Sequence, residues 1–331
     1  MTSVQPGRRR GRKRERGSMV PPAQFGSYYG LPILKRPTWK SPDVPIYLWA
    51  GGAAGTSAVL AALADLTGRP TLRRGGRWVA ACGAMIGSVA LIHDLGRPAR
   101  FLNMLRVVKP TSPLSVGSWI LTPFGALAAA AAASELTGIA PRLGRVAGWG
   151  AAALGPALAS YTSVLVADTA IPAWHEARNE LPALFVGSAA AAGGGAGLVL
   201  ATVADNGPAA RIAAVGAVTE LAAGQAMERH LAGLPGGLER VYQTGRAGRW
   251  NRAGQVLTTA GGVGALFLQR SRAGSVLAGL ALLAGSLATR FAVLHAGRAS
   301  ADDPQHVIAP QRERLAQRTT HHAPGHVQTV D

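Results

Sequence analysis

Eight long apolar stretches, separated by short polar connections, follow a polar and proline-rich segment at the start of the chain. Most of them reach the roughly 20 residues that a helix needs to cross about 30 Å of hydrocarbon. Backbone groups in lipid must be satisfied within their own segment, so each crossing must be helical. The pattern therefore predicts an all-α integral membrane protein with a bundle of about eight transmembrane helices, arranged as two four-helix halves. The predicted spans are 44–66, 77–95, 114–137, 146–168, 182–204, 209–227, 254–269 and 273–295.

These spans divide the chain into a basic N-terminal segment (1–43), a membrane domain (44–295) and a polar tail (296–331) that we expect to be disordered. Only 15% of the residues are charged, against about 25% in soluble domains. The net charge of +18 comes from cations at the termini and between apolar runs, which indicates membrane topology and excludes nucleic acid binding. Cys82 is the one cysteine in the chain, so no disulfide framework or iron–sulfur cluster is expected.

The distribution of lysine and arginine predicts the orientation. With eight spans, the side that holds both termini carries 24 of these cations and the opposite side carries 9. By the positive-inside rule, both termini face the cytoplasm of a cell inner or plasma membrane. This prediction rests on the two tails. The arginine-rich run at 8–16 is not a signal peptide, because no apolar region follows it, and we expect it to touch membrane lipid.

The connection at 93–119 is unusually long and cationic. It begins with the acid–base pair His93 and Asp94 and carries Arg97, Arg100 and Arg106 between two spans. Its scattered apolar residues favour a short helix that lies against a surface. The alternative is a solvated basic loop that only sets topology.

A second polar cluster ends the fourth span, on the same predicted side. Tyr161 lies about two turns inside the membrane and Asp168 lies at its edge. Tyr161 is either an interfacial anchor or a ligand contact, and Asp168 either pairs with Arg178 or Arg97 or carries protons. Tyr47 and Trp49, at the start of the first span, reach the same face. Such a set suits an amphipathic ring ligand that needs a hydrogen bond and a proton route.

Two charges are predicted within spans, Glu220 and Arg290. They form either a structural ion pair, which we favour, or part of a proton path. Only His93 and His295 lie near spans, both at the ends, so haem and metal sites are not expected.

The stretch HDLGRPARFLNMLRVVKPTSPLSVGSW at 93–119 closely resembles the signature of the NrfD / polysulfide reductase membrane subunit family. The YGLP at 29–32, the GGAAG of the first span, and Tyr161 followed by Pro172 and Trp174 fit the same pattern in order. The resemblance covers roughly residues 28–295, and the first half carries the specific motifs.

The resemblance implies a membrane anchor and quinone-reactive subunit of a multi-subunit oxidoreductase of anaerobic respiration, with no haem or iron–sulfur cluster of its own. Such a subunit passes electrons between membrane quinone (menaquinone or ubiquinone) and a four-cluster ferredoxin-like iron–sulfur subunit, commonly beside a molybdopterin catalytic subunit. The implied residues are Tyr47, Trp49 and Tyr161 for the quinone, His93, Asp94 and Asp168 for a proton relay, and Arg97, Arg100 and Arg106 for partner docking.

Two departures from the family pattern stand out. Relatives can have histidine or asparagine near the position of Tyr47, and periplasmic members face the motif side outward. The alternative function is a transporter or proton channel without redox coupling, with Glu220 and Arg290 along its path. A purely structural anchor is a third possibility.

Overall fold

A computed structural model describes residues 33–97, 99–309 and 311–312, and within these ranges all regular secondary structure is helical. Eight long helices correspond in order to the eight predicted spans, and three short helices lie in the connections. The long helices are α1 (Asp43–Leu66), α2 (Pro70–Asp94), α4 (Pro113–Thr137), α5 (Pro141–Ala167), α7 (Leu181–Leu200), α8 (Gly207–Ala232), α10 (Gly245–Phe267) and α11 (Arg272–Asp302). The short helices are α3 (Ala99–Met104), α6 (Pro172–His175) and α9 (Arg240–Gln243).

Six of the long helices are long and apolar enough to cross a membrane: α1, α2, α4, α5, α7 and α11. The chain is therefore a multi-pass membrane protein. Helices α8 and α10 have suitable lengths of 26 and 23 residues, but neither contains an 18-residue stretch that is sufficiently apolar and poor in charges.

The long helices pack as two groups of four. In the first half, α1 contacts α2 and α5, and α4 closes the ring by contacting both α2 and α5. In the second half, α7 contacts α8 and α11, and α10 closes the ring in the same way. Helix α1 joins the halves through its contacts with α7 and α11.

Small residues bring the helices into close contact, as is usual where packing drives association in lipid. One very close crossing joins α1 to α5 at Gly55 and Gly155. A Cβ atom built on either glycine would lie 2.4 Å from the carbonyl oxygen of the other.

Three helix boundaries differ from the prediction by seven residues or more. Helix α2 begins at Pro70 rather than at 77, and α10 begins at Gly245 rather than at 254. Their first turns hold arginines, which hydropathy assigns to loops. Helix α11 continues to Asp302, so the predicted tail at 296 begins as helix. It continues because its last turns are buried against α6, where Ser300 accepts a hydrogen bond from the backbone of Ala173.

Residues just before α1 contact α6 and the end of α11. Arg36 pairs with Asp302 at 2.6 Å, and Trp39 stacks on Trp174 with ring centroids 5.1 Å apart. This part of the predicted N-terminal segment is therefore packed against the bundle. The arginine-rich run at 8–16, the YGLP at 29–32 and the tail from 313 lie outside the described residues.

Candidate functional site

Tyr47 and Tyr161 occupy the same end of the first half, where α1 and α4 begin and α2 and α5 end. Tyr47 is buried one turn into α1, and a Cβ atom on Gly87 of α2 would lie 3.8 Å from its ring. Tyr161 is buried against Gly117 of α4, where a Cβ atom would come within 2.1 Å of the ring. Both tyrosines belong to one apolar cluster, together with Leu121 of α4. Gly117 therefore makes room for the Tyr161 ring, whereas the contact between Gly87 and Tyr47 is an ordinary van der Waals distance.

The hydroxyl of Tyr161 is buried and has no hydrogen-bond partner among the described residues. A buried hydroxyl without a partner costs roughly 1–3 kcal/mol. Native proteins rarely leave such a group unsatisfied without a reason, such as a bound ligand. This phenol is therefore placed to donate a hydrogen bond to an oxygen that the protein itself does not supply.

A charged cluster lies next to Tyr47. His93 Nδ1 lies 2.7 Å from the carboxylate of Asp43, which is one helical turn before Tyr47. The backbone amide of Lys40 donates to Asp94 at 2.7 Å, and its ammonium group donates to the carbonyl of His93 at 3.0 Å. His93 and Asp94 therefore lie beside the start of α1, one turn before the buried Tyr47. Sequence reasoning missed Asp43, although its place one turn before a buried tyrosine was a usable signal.

Trp49 does not share this site. It lies two residues after Tyr47, about 200° around α1. Its indole nitrogen donates to the carbonyl of Leu283 in α11 at 3.1 Å, so the side chain faces the seam between the halves. The predicted grouping of Trp49 with Tyr47 and Tyr161 does not form in the structure.

Asp168 and the predicted docking arginines are all exposed. Asp168 is the residue after α5, and in the described part of the chain it pairs with neither Arg178 nor Arg97. Arg97, Arg100 and Arg106 flank or belong to α3, the short helix predicted in this connection. They form a solvent-facing cationic surface at the same end as the two tyrosines.

An apolar groove runs between α2 and α4, with a cavity volume of about 640 Å³. Its lining includes Phe101 of α3 and Leu121, which also belongs to the apolar cluster around Tyr161. Trp78 and Met85 of α2 are exposed along the groove. Its apolar lining suits a hydrocarbon chain, and neither Tyr47 nor Tyr161 is among the residues that line it.

The second half encloses a separate polar cavity of about 180 Å³. Glu220 is buried at its wall, where it accepts hydrogen bonds from Thr289 at 2.6 Å and from Thr258 at 3.3 Å. Gln225 and Asn251 line the same cavity. Tyr242 of α9 also lines it, and burial, with a smaller contribution from the charge of Glu228, raises the pKa of its phenol.

Arg290 is fully buried at the seam of the halves. Its guanidinium donates to the carbonyl of Phe185 at 3.0 Å and lies 3.7 Å from the centre of the Phe185 ring. The predicted direct ion pair with Glu220 does not form. The threonine hydroxyls hold Glu220, while Phe185 of α7 holds the arginine.

Sequence reasoning also missed a buried ion-pair network at the opposite end of the first half. Glu135 of α4 pairs with Arg77 at 2.7 Å and with Arg73 at 3.1 Å, and Arg145 pairs with Asp65 at 3.1 Å. The prediction treated these arginines as loop cations. Within the described residues, no group of three or more histidine, cysteine, aspartate or glutamate side chains is placed to hold a metal ion.

The family comparison covers the first half and the first two long helices of the second half. The family model described as "Polysulphide reductase, NrfD" matches residues 36–232, which run from just before α1 to the end of α8. The match includes Tyr47, His93 and Tyr161, and it spans more than half of the chain. No curated protein matches the chain.

Proposed function

We propose that this chain, which belongs to the polysulphide reductase NrfD family, is the quinone-reactive membrane subunit of a multi-subunit oxidoreductase. The family consists of membrane subunits of quinone-linked oxidoreductases, so an anchor role is the part that membership itself supports. The further step, electron transfer between a partner iron–sulfur subunit and quinone, rests on the site. The observation that carries it is the buried, unpartnered hydroxyl of Tyr161.

The first half fits a quinone in two respects. The Tyr161 phenol supplies a hydrogen-bond donor for a quinone carbonyl, and the apolar groove between α2 and α4 suits an isoprenoid tail.

A bound quinone takes up two electrons and two protons when it is reduced. Tyr161 positions the ring, Tyr47 and Leu121 exclude water around it, and the His93–Asp43 pair exchanges protons with solvent. Asp94 orients this pair through Lys40, and Asp168 lies farther out as a second surface acid.

Electrons pass between this end of the bundle and a partner protein. Arg97, Arg100 and Arg106 form an exposed basic surface around α3 that suits an acidic face of a four-cluster ferredoxin-like subunit. A molybdopterin catalytic subunit on that partner completes the complex that we infer from the family. The excess of cations on the side of the termini supports a cytoplasmic location of this surface.

We further propose that α8 and α10 also cross the membrane, which makes eight crossings. Their low hydropathy comes partly from inward residues such as Glu220 and Thr258, which are buried. Their outward faces also carry apolar residues: Val218 of α8 and Val256 of α10 are each 67% exposed. A helix with polar residues inside and valines outside suits lipid when its polar face lines a cavity.

The experiment is the Tyr161→Phe substitution in the purified complex. Loss of one hydrogen bond should weaken quinone retention about fivefold to tenfold, with a matching loss of quinone-linked turnover at limiting quinone. Quinone is extracted and quantified by chromatography, and turnover is followed with the electron donor of the complex.

The matched control is Tyr242→Phe, since Tyr242 is likewise buried with an unpartnered hydroxyl but lies in the second half. We expect this variant to keep its quinone. Equal quinone content and turnover in wild type and Tyr161→Phe would remove the proposed site, and an equal loss in both variants would point to nonspecific damage of the bundle.

The cavity around Glu220 favours a second candidate function, a proton channel. A buried carboxyl group at the wall of a polar cavity is the usual arrangement for taking up a proton within a membrane. The same feature is compatible with a redox subunit that also moves protons, so a channel alone would require the Tyr161 site to bind no quinone.

A further inference from the structure

Three cations converge at the end of the second half, away from Tyr161. Arg246 and Arg249 lie in the first turns of α10, and Arg298 lies in the last turns of α11. Together with His295 and the aromatic rings of Trp250 and Phe291, they line a pocket of about 760 Å³. The two rings stack with centroids 4.8 Å apart and form an apolar wall.

Asp302 and Asp94 act on Arg298 electrostatically, but Arg246 and Arg249 have no acid partner in the described part of the chain. The residues that line the pocket include no aspartate or glutamate, and neither Arg246 nor Arg249 pairs with a carboxylate. Asp302, near the end of α11, is already paired with Arg36 at 2.6 Å. The two arginines also stand at the positive end of the α10 dipole, which adds to the attraction for an anion.

The chain itself offers no suitable occupant. The N-terminal 32 residues contain a single acid, Glu15, and the last 19 residues contain Glu313 and Asp331, while both segments are rich in arginine or histidine. Neither segment carries a net negative charge on its side chains, so an anion from outside the chain suits the pocket better.

The surface next to the pocket shows which anion fits. Arg249, Val256 and Val263 are spaced by seven residues, so they lie on one face of α10. Val256 is 67% exposed and Val263 is 51% exposed, which makes a bare apolar stripe directly beyond the arginine. Trp250 is partly exposed at the boundary, as interfacial tryptophans are. A soluble anion would not contact such an apolar stripe, whereas the acyl chains of a lipid would pack against it.

We propose that this pocket binds the headgroup of an anionic phospholipid from the surrounding bilayer. Arg246 and Arg249 contact the phosphate, the stacked rings of Trp250 and Phe291 support the glycerol region, and an acyl chain lies along the valines. Bound in this way, the lipid holds the polar α10 against the apolar α11 at the membrane surface. This role is independent of quinone chemistry in the first half.

The test uses the full-length chain, purified in detergent and stripped of lipid, with native mass spectrometry to count retained lipids. The probes are phosphatidylglycerol, phosphatidylcholine and inorganic phosphate at matched concentrations. Wild type should retain phosphatidylglycerol in preference to phosphatidylcholine, and phosphate should not displace it. The double variant Arg246→Gln/Arg249→Gln should bind phosphatidylglycerol roughly 25-fold more weakly, at about fivefold per arginine.

Two further variants make the result specific. Arg142→Gln/Arg270→Gln removes the same charge from exposed positions elsewhere and should retain phosphatidylglycerol. Arg246→Lys/Arg249→Lys keeps the charge and should retain most of it. Unchanged retention in the glutamine variant would overturn the proposal, as would displacement by inorganic phosphate, which would indicate a site for free anions. If the glutamine variant lost an iron–sulfur partner but retained its lipid, the pocket would be a protein-docking surface. That result would also overturn the lipid-binding proposal.

Discussion

Glu135 and Glu220 are both buried carboxylates on long helices, yet their neighbours give them different roles. Two arginines of α2 pair with Glu135 at 2.7 and 3.1 Å. These ion pairs neutralise the charge of Glu135 and link α2 to α4. Hydroxyl groups hold Glu220, and Arg290 forms no direct salt bridge with it. A buried carboxyl without a paired cation takes up a proton more readily than one with two guanidinium partners.

This contrast predicts a difference in reactivity toward dicyclohexylcarbodiimide, an apolar reagent that modifies protonated carboxyl groups in membranes. Treatment of native membranes should modify Glu220 and leave Glu135 unmodified, as measured by peptide mass spectrometry. Thr289→Val should change the modification of Glu220, because it removes the hydroxyl that donates at 2.6 Å. Modification of Glu135 with Glu220 untouched would show that Glu220 is an ionised structural group and would remove the proton-channel candidate.

Residue identities alone predicted only part of the candidate site. Tyr161 and Tyr47 were identified from their positions near helix ends, and the structure places both in one cluster. Asp43 and Gly117, which accommodates the Tyr161 ring, were not identified, because their significance depends on contacts with helices more than 40 residues away. Trp49 was misplaced because proximity along the chain does not fix the helix face on which a side chain lies.

At the scale of helices, hydropathy predicted the number and order of the long elements but not all of their ends. Arginines in the first turns of α2 and α10 lowered the local hydropathy, although proline at the start of α2 is a favourable helix-start residue. The pairing of Arg73 and Arg77 with Glu135 extends α2 beyond its apolar part. Such partners come from another helix, so a one-dimensional pattern cannot reveal them.

The crossing of α1 and α5 yields a prediction about helix packing. Gly55→Ala should lower the free energy of unfolding by about 1–3 kcal/mol, because the new methyl group would lie 2.4 Å from the carbonyl of Gly155 and force the helices apart. The matched control is Gly51→Ala, one turn earlier on α1, where a Cβ atom meets nothing within 4 Å. Unfolding midpoints in mixed micelles compare the two. Equal stability of both variants would mean that the crossing is looser than described.

At the scale of the whole molecule, the two halves repeat one plan of four helices with different interiors. The first half buries Tyr47 and Tyr161 near one end, and the second half encloses a cavity with Glu220 at its wall. This division accounts for part of the polarity of α8 and α10, which supply Glu220 and Thr258 to the cavity. The number of crossings also decides on which side of the membrane the short helix α9 lies. Helix α9 lies on the side of the termini only if α8 and α10 both cross.

Single-cysteine labelling tests the crossings and the orientation together. In a Cys82→Ser background, Ile139→Cys lies between α4 and α5, and Thr244→Cys lies between α9 and α10; both positions are exposed. With eight crossings and cytoplasmic termini, a membrane-impermeant maleimide added to intact cells should label Cys at 139 only. After permeabilisation it should label both. Labelling of both positions in intact cells would mean that α8 and α10 do not cross, and labelling of 244 alone would mean that the orientation inferred from the charges is reversed.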